Sequence, residues 1–107
     1  MTRRRKRSHK RLTEMGSEVY AAFVRMEQAT YRDAALTKRQ KELIAVGISV
    51  AIDCESCMQW HIEQAAASGA SEAEVLEAVE GGIEMGGGPA TVSARFALEV
   101  MESLFGE

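Results

Sequence analysis

Thr37-Lys38-Arg39-Gln40-Lys41-Glu42-Leu43-Ile44-Ala45-Val46-Gly47-Ile48-Ser49-Val50-Ala51-Ile52 is the stretch on which the fold turns. Its second part, from Leu43 to Ile52, is apolar nearly all round. Several of its residues are β-branched, which would suit a buried strand. A helix over 37–52 is the better reading, because Thr37 can act as an N-cap and the polar lead-in to Lys41 extends the segment to helical length. A helix apolar on all sides must be covered on all sides. One short chain has few helices to cover it, so the protein is expected to be a homo-oligomer.

The flanking segments carry helical signals too. Upstream, Val19, Phe23, Met26 and Thr30 recur at spacings that place them on one face, predicting a helix from Ser17 to Asp33 with a connection through Leu36. Downstream, Asp53 ends the long apolar segment and can cap a helix running from Cys54 to Ala67. Ser68-Gly69-Ala70 stops it, with Gly69 suited to a left-handed position. Ser71 and Glu74 form a capping box that opens a helix with Val75, Val79, Gly82 and Ile83 inward. Gly86-Gly87-Gly88 breaks that helix. Pro89 then suits the first turn of a last one, whose apolar positions are Val92, Phe96, Val100 and Leu104. The expected fold is all-α, as a single domain over residues 12–107.

Hydrophobic residues make up 46% of the 107 and charged residues 27%, an ordinary balance for a chain that folds. The net charge of −3 hides an asymmetry. Residues 1–11 hold seven basic side chains and no acidic one, leaving six basic against sixteen acidic in the rest, a net of −10. Such an arm suits contact with nucleic acid or an anionic surface. No aromatic residue interleaves it to stack on bases, so the expectation is a solvated, disordered tail, tied at most loosely to its own acidic body. The basic start is not followed by the apolar stretch of an export signal, and no run is long enough to span a bilayer. The chain is therefore expected to be cytoplasmic, without membrane contact. In a reducing compartment, two cysteines three residues apart point to redox chemistry or metal binding rather than to a structural staple.

Cys54-Glu55-Ser56-Cys57-Met58-Gln59-Trp60-His61 holds the chemistry. On a helix, Cys54, Cys57 and His61 share a face. Both sulfurs fall in the first turn, where the partial positive charge of the helix end favours thiolate. This spacing also lets one sulfur resolve the other after oxidation. Glu42 lies roughly 16 Å back from Asp53 along one helix, and His61 roughly 10 Å down the next. If the two helices fold back at Asp53, these side chains face each other. Glu42, His61 and Cys57 then make a proton path ending on sulfur. Taken singly, His61 could be a satisfied core residue and Glu42 a surface charge. Together the four residues favour chemistry. Trp60 and the methionines are assigned to packing or a subunit contact. Met58 stands where covalent haem attachment would need histidine, and no strands surround the motif as a thioredoxin-like fold requires. A metal-binding module using Cys54, Cys57 and His61, with Glu42 as a fourth ligand, is the chemical rival. A non-catalytic oligomeric binding protein whose arm contacts nucleic acid is the other alternative.

The spacing from Glu42 through Cys54 and Cys57 to His61 resembles the signature of the alkylhydroperoxidase D-like branch of the carboxymuconolactone decarboxylase family. Leu36-Thr37 with Lys41-Glu42-Leu43-Ile44-Ala45 is similar to that family's lead-in. Ala66 to Ala78 resembles its following turn and helix, and Met85-Gly86-Gly87-Gly88-Pro89 its glycine-proline junction. The likeness covers about residues 36–98. It implies an all-helical fold that assembles commonly as trimers or hexamers, and an enzyme without a bound cofactor. It implies that Cys57 attacks a hydroperoxide, that Cys54 resolves the oxidised sulfur into a Cys54–Cys57 disulfide, and that Glu42 and His61 relay the proton. The reductant implied is a dithiol, lipoamide-like or thioredoxin-like, on a partner protein. The decarboxylases of the family's title activity lack the paired cysteines, so Cys54 and Cys57 argue against that reaction here.

Overall fold

The computed structural model describes residues 2–106. Met1 of the arm and Glu107 at the end of the expected domain lie outside the described residues. Six helices follow one another among the described residues: α1 (Thr2–Glu14), α2 (Glu18–Thr30), α3 (Lys38–Ala51), α4 (Glu55–Ala67), α5 (Glu72–Gly86) and α6 (Gly88–Phe105). The expected all-α fold is what forms. None of these helices is long and apolar enough to cross a membrane.

Local chemistry sets the boundaries. Thr37 caps α3 and Ser71 caps α5, each in a capping box with the residue three positions on, Gln40 and Glu74 respectively. Glu74 is held below its ordinary pKa chiefly by the backbone N–H of Ser71. Gly69, at φ +96°, ends α4 in the left-handed region, and the Ala70 N–H returns to the Ala65 carbonyl. Gly87, also at positive φ, separates α5 from α6, which opens with Pro89 in its first turn.

The core lies among α3–α6. Val46 and Val50 of α3 meet Met58, Ile62 and Ala65 of α4, Val75 and Val79 of α5, and the small side chains of α6. On α6 the buried face is Ala90, Ser93, Ala94, Ala97, Val100 and Met101. The expected face is right at Val100, which is buried, and in part at Phe96, which packs at the edge, and is corrected at Val92 and Leu104, which are exposed. Alanines win these inner positions because the helices approach closely. The closest approach is between α3 and α5. A Cβ on Gly82 would collide with the carbonyl oxygen of Gly47 and come within 2.9 Å of Val50 Cβ.

The amino-terminal segment also departs from expectation. Residues 2–14 form a helix rather than a disordered tail. Arginine and lysine are good helix formers, and their long stems can cover apolar surface while the charged ends stay wet. The Arg5 guanidinium lies 4.1 Å from the centroid of the Trp60 ring and 3.7 Å from a Glu63 oxygen, and the Thr2 hydroxyl donates to Glu63. The loose tie to the acidic body is thus a seat on α4. Helix α2 ends three residues short of Asp33 and buries nothing. Phe23, expected on an inward face, is 52% exposed, and Val19 and Met26 are exposed as well.

The backbone contact at Gly82 yields a stability prediction. Gly82→Ala should destabilise the protein by about 1–3 kcal/mol through overpacking, despite the better helix propensity of alanine. Thermal melting checks this; an unchanged or raised midpoint would show that α3 and α5 can separate at no cost.

Candidate active site

The turn between α3 and α4 places the chemistry. Asp53 takes the left-handed conformation at φ 57°, which Asp tolerates better than most residues. The Cys54 N–H returns to the Ser49 carbonyl at 2.9 Å and the Asp53 N–H to that of Val50, closing a Schellman-type end on α3. Asp53 was expected to cap α4. Instead its carboxylate accepts the buried Ser93 hydroxyl of α6 at 2.8 Å, pinning the turn. The cap of α4 is Cys54, in an extended conformation, whose Sγ accepts the Cys57 N–H at 3.2 Å.

The two sulfurs are joined as a Cys54–Cys57 disulfide, with Cα atoms 5.2 Å apart. Both sit at the head of α4, where unsatisfied amides favour negative charge on a released sulfur. Cys57 and His61, one turn apart, line a cavity of about 600 Å³ between α1, α2 and α4. A second cavity of about 640 Å³ lies elsewhere, along the apolar surface of α3 and α5, and holds neither cysteine nor His61.

Behind His61 stands Glu42, the predicted partner, only 1% exposed. The hairpin at Asp53 brings them together: His61 Nδ1 is 2.7 Å from Glu42 Oε1. The other carboxylate oxygen accepts from Lys38 Nζ at 2.6 Å, and Lys38 also donates to Gln64 at 3.3 Å. Burial works to raise the Glu42 pKa. Hydrogen bonds from His61 and Lys38, with their charges, outweigh it and hold the carboxyl below its ordinary value. An ionised Glu42 can only accept, so His61 Nδ1 carries the proton of that bond and a neutral ring keeps Nε2 as a base. The Tyr31 ring lies 5.1 Å from the His61 ring, tilted by 39°. Burial, together with Glu42 and Glu27, pushes the Tyr31 phenol up.

All four expected residues therefore fall in one region, with Glu42 on α3, Cys54 capping α4, and Cys57 and His61 within α4. Sequence reasoning missed Lys38, Gln64 and Tyr31. Only Lys38 carried a signal, its position four residues before Glu42 on the same helix. Among the described residues, no three His, Cys, Asp or Glu side chains gather as metal ligands. The thiols are paired with each other, and Glu42 is turned to His61 and Lys38.

The chain belongs to the carboxymuconolactone decarboxylase family, whose sequence model matches residues 17–100. It is similar to a solved carboxymuconolactone decarboxylase family protein of Legionella pneumophila, at 34% identity and a TM-score of 0.85, covering 95% of this chain and 90% of that one. A family member from Thermotoga maritima, described with a suggested part in an antioxidative response, is 25% identical with a TM-score of 0.86, covering 96% and 88% of the two chains. Among curated sequences, Uncharacterized protein 4 in the cox locus of Paracoccus denitrificans is 33% identical over 91 residues, 85% of this chain and 82% of that protein.

The depressed Glu42 pKa links the site to acid stability. Its folded value lies below the unfolded one, so ionised Glu42 contributes stability that is present above the ordinary value of 4.5 and is lost as pH falls through the folded value. Melting midpoints measured across the acid range should fall for the native chain, and fall less steeply for Glu42→Gln. Parallel curves would place the acid sensitivity elsewhere.

Proposed function

We propose that the protein is a thiol-dependent peroxidase or disulfide reductase that cycles Cys54 and Cys57 between dithiol and disulfide. The observation carrying this reading is that Cys57 of the disulfide and His61 line one cavity, with buried Glu42 bonded to His61 behind it. The family match and the antioxidative description of the Thermotoga protein agree with it.

In the reduced state Cys57 would attack the outer oxygen of a hydroperoxide as thiolate. A sulfur–oxygen bond forms as the oxygen–oxygen bond breaks, and the alcohol leaves with a proton from protonated His61. Glu42 orients the ring and stabilises its charge, and Lys38 holds the far oxygen of Glu42. The Cys54 sulfur then attacks the Cys57 sulfenic acid, forming the disulfide and releasing water. A dithiol, lipoamide-like or on a thioredoxin-like partner, restores both thiols by exchange and leaves as a disulfide. The net change is one hydroperoxide and one dithiol to alcohol, water and disulfide. This chemistry needs a reducing compartment to regenerate the dithiol, which suits the cytoplasm.

Mass spectrometry after a brief peroxide pulse on the reduced chain tests the assignment. The native chain should lose two hydrogens through a Cys54–Cys57 bond. Cys54→Ser should stop at a sulfenic acid on Cys57, and Cys57→Ser should consume no peroxide. Glu42→Gln should slow oxidation by about 100-fold, a usual share for acid–base assistance, while remaining folded. Full peroxide consumption by Cys57→Ser would defeat the assigned roles.

The same reading has the protein act as a homo-oligomer, a trimer or hexamer. Its support is the exposed Ile44 and Ile48 of α3 and Met85 of α5, which line the apolar groove with Met85 80% exposed, continued by exposed Ile52 at the end of α3. Ile48→Glu should convert the assembly to monomer in sedimentation analysis, and a monomeric native chain would remove the proposal.

A further inference from the structure

The thiol cavity carries an asymmetry of charge that the redox reading does not use. Arg5 and Lys6 of α1 form part of its wall, opposite Cys57 and Trp60 of α4, while Phe23 and Val24 of α2 add apolar surface. The Arg5 guanidinium is fixed over the Trp60 ring, and its Nε is buried with no hydrogen-bond partner. Its nearest carboxylate oxygen, Glu63 Oε1, lies at 3.7 Å, an ion pair beyond good hydrogen-bond distance, while Thr2 and Gln59 donate to the other oxygen, Oε2. Lys6 has no ion-pair partner among the described residues, and its side chain stands at the exposed edge. Glu27 on α2 is the opposing carboxylate of the cavity, and His9 adds a further titratable group on the α1 side. Arg5 and Lys6 on the α1 side face one carboxylate of the lining, Glu27, and with Glu63 in reach of Arg5 the unpartnered cation of the lining is, among the described residues, Lys6.

We infer that this cavity selects a reactant with a carboxylate on an apolar body, seated with its carboxylate at Arg5 and Lys6 and its apolar part against Trp60, Phe23 and Val24. Guanidinium donors with unused capacity suit a carboxylate better than any neutral group. A cavity of about 600 Å³ is of a size to hold a small organic molecule rather than only hydrogen peroxide. The inference rests on the thiol reading, since it names what reaches Cys57. An organic hydroperoxide with a carboxylate end and a disulfide of a carboxylate-bearing thiol share this chemistry.

Alkylation tests the charge selection without requiring peroxidase turnover. In reduced Cys54→Ser protein, the Cys57 thiolate displaces iodide from iodoacetate, which is anionic, or from iodoacetamide, which is neutral and of similar size. The ratio of the two rates cancels the thiolate fraction, so it reports the field at Cys57 alone. That ratio should exceed the ratio for N-acetylcysteine amide, an uncharged free thiol, by about tenfold, the lower end of what a cleft of opposite charge supplies. It should fall toward the free-thiol ratio at high salt, which screens the field, and in Lys6→Gln and Arg5→Gln. Lys6 is exposed, so its variant stays folded even if loss of Arg5 frees α1 from Trp60. A ratio equal to that of the free thiol, or one insensitive to salt and to Lys6→Gln, overturns the inference. A parallel assay of the native chain with a fatty-acid hydroperoxide and with cumene hydroperoxide separates the two claims. Consumption of neither, beside a raised alkylation ratio, would remove the peroxidase reading and leave the anion selection standing. Equal consumption of both beside a free-thiol ratio would do the reverse.

Discussion

A carboxylate nearly sealed from water at Glu42 is the constraint around which the site is organised. Such a charge is tolerated only when its oxygens are paired. Here one oxygen is taken by His61 and the other by Lys38. The pairing therefore does two things at once. It ties α4 to α3 at a fixed register, and it sets which nitrogen of His61 carries the proton. Removing the imidazole would leave a buried charge half satisfied, which is costlier than the loss of an ordinary contact. The position of the His61 ring is thus enforced by the stability of the fold itself.

That register depends in turn on how α3 ends. Asp53 in the left-handed region reverses the chain, and its side chain is held by Ser93 from α6. The reversal leaves the Cys54 backbone extended, so its sulfur replaces the hydroxyl or carboxylate usual at a helix cap and accepts the Cys57 N–H. A cap position and a disulfide position coincide. The first-turn amides that any helix must satisfy are here directed at sulfur, and a released Cys54 thiolate would keep the same donor.

Much of this was legible because the informative contacts are local or lie across one hairpin. Glu42, Cys54, Cys57 and His61 sit on two consecutive helices, so spacing alone brings them face to face. The capping residues Thr37 and Ser71 were readable for the same reason, since each acts within four residues. What failed was knowledge of what covers each face. The periodic Val19, Phe23 and Met26 do mark a face of α2, but nothing buries it in a single chain. On α6 the larger residues led only partly to the right side, with Val100 inside but Val92 and Leu104 exposed, because a close helix approach selects alanine where hydropathy favours valine and leucine. Charge density hid the helix at residues 2–14. Its seat on α4 depends on the Arg5 guanidinium over Trp60 and on Glu63, contacts that no count of charges contains. Lys38 was missed because a lysine four residues before a glutamate is an everyday surface pair; only the burial of Glu42 makes it part of the site.

The helix that carries Glu42 has a second face, and the two do not compete. Glu42, Val46, Ser49 and Val50 point into the protein, whereas Ile44, Ile48 and Ile52 form an outward row at four-residue spacing. The outward row borders the groove shared with α5, and the thiol cavity is walled instead by α1, α2 and α4. A second copy seated on the isoleucine row would bury apolar surface without closing the approach to Cys57. It would also press on the contact between Gly47 and Gly82 from outside, where α3 and α5 have no side chain between them. Burial there would stiffen the helix that holds Glu42 in register with His61. An apolar residue on the outer face of α3 can therefore matter to the chemistry on its inner face without approaching a sulfur.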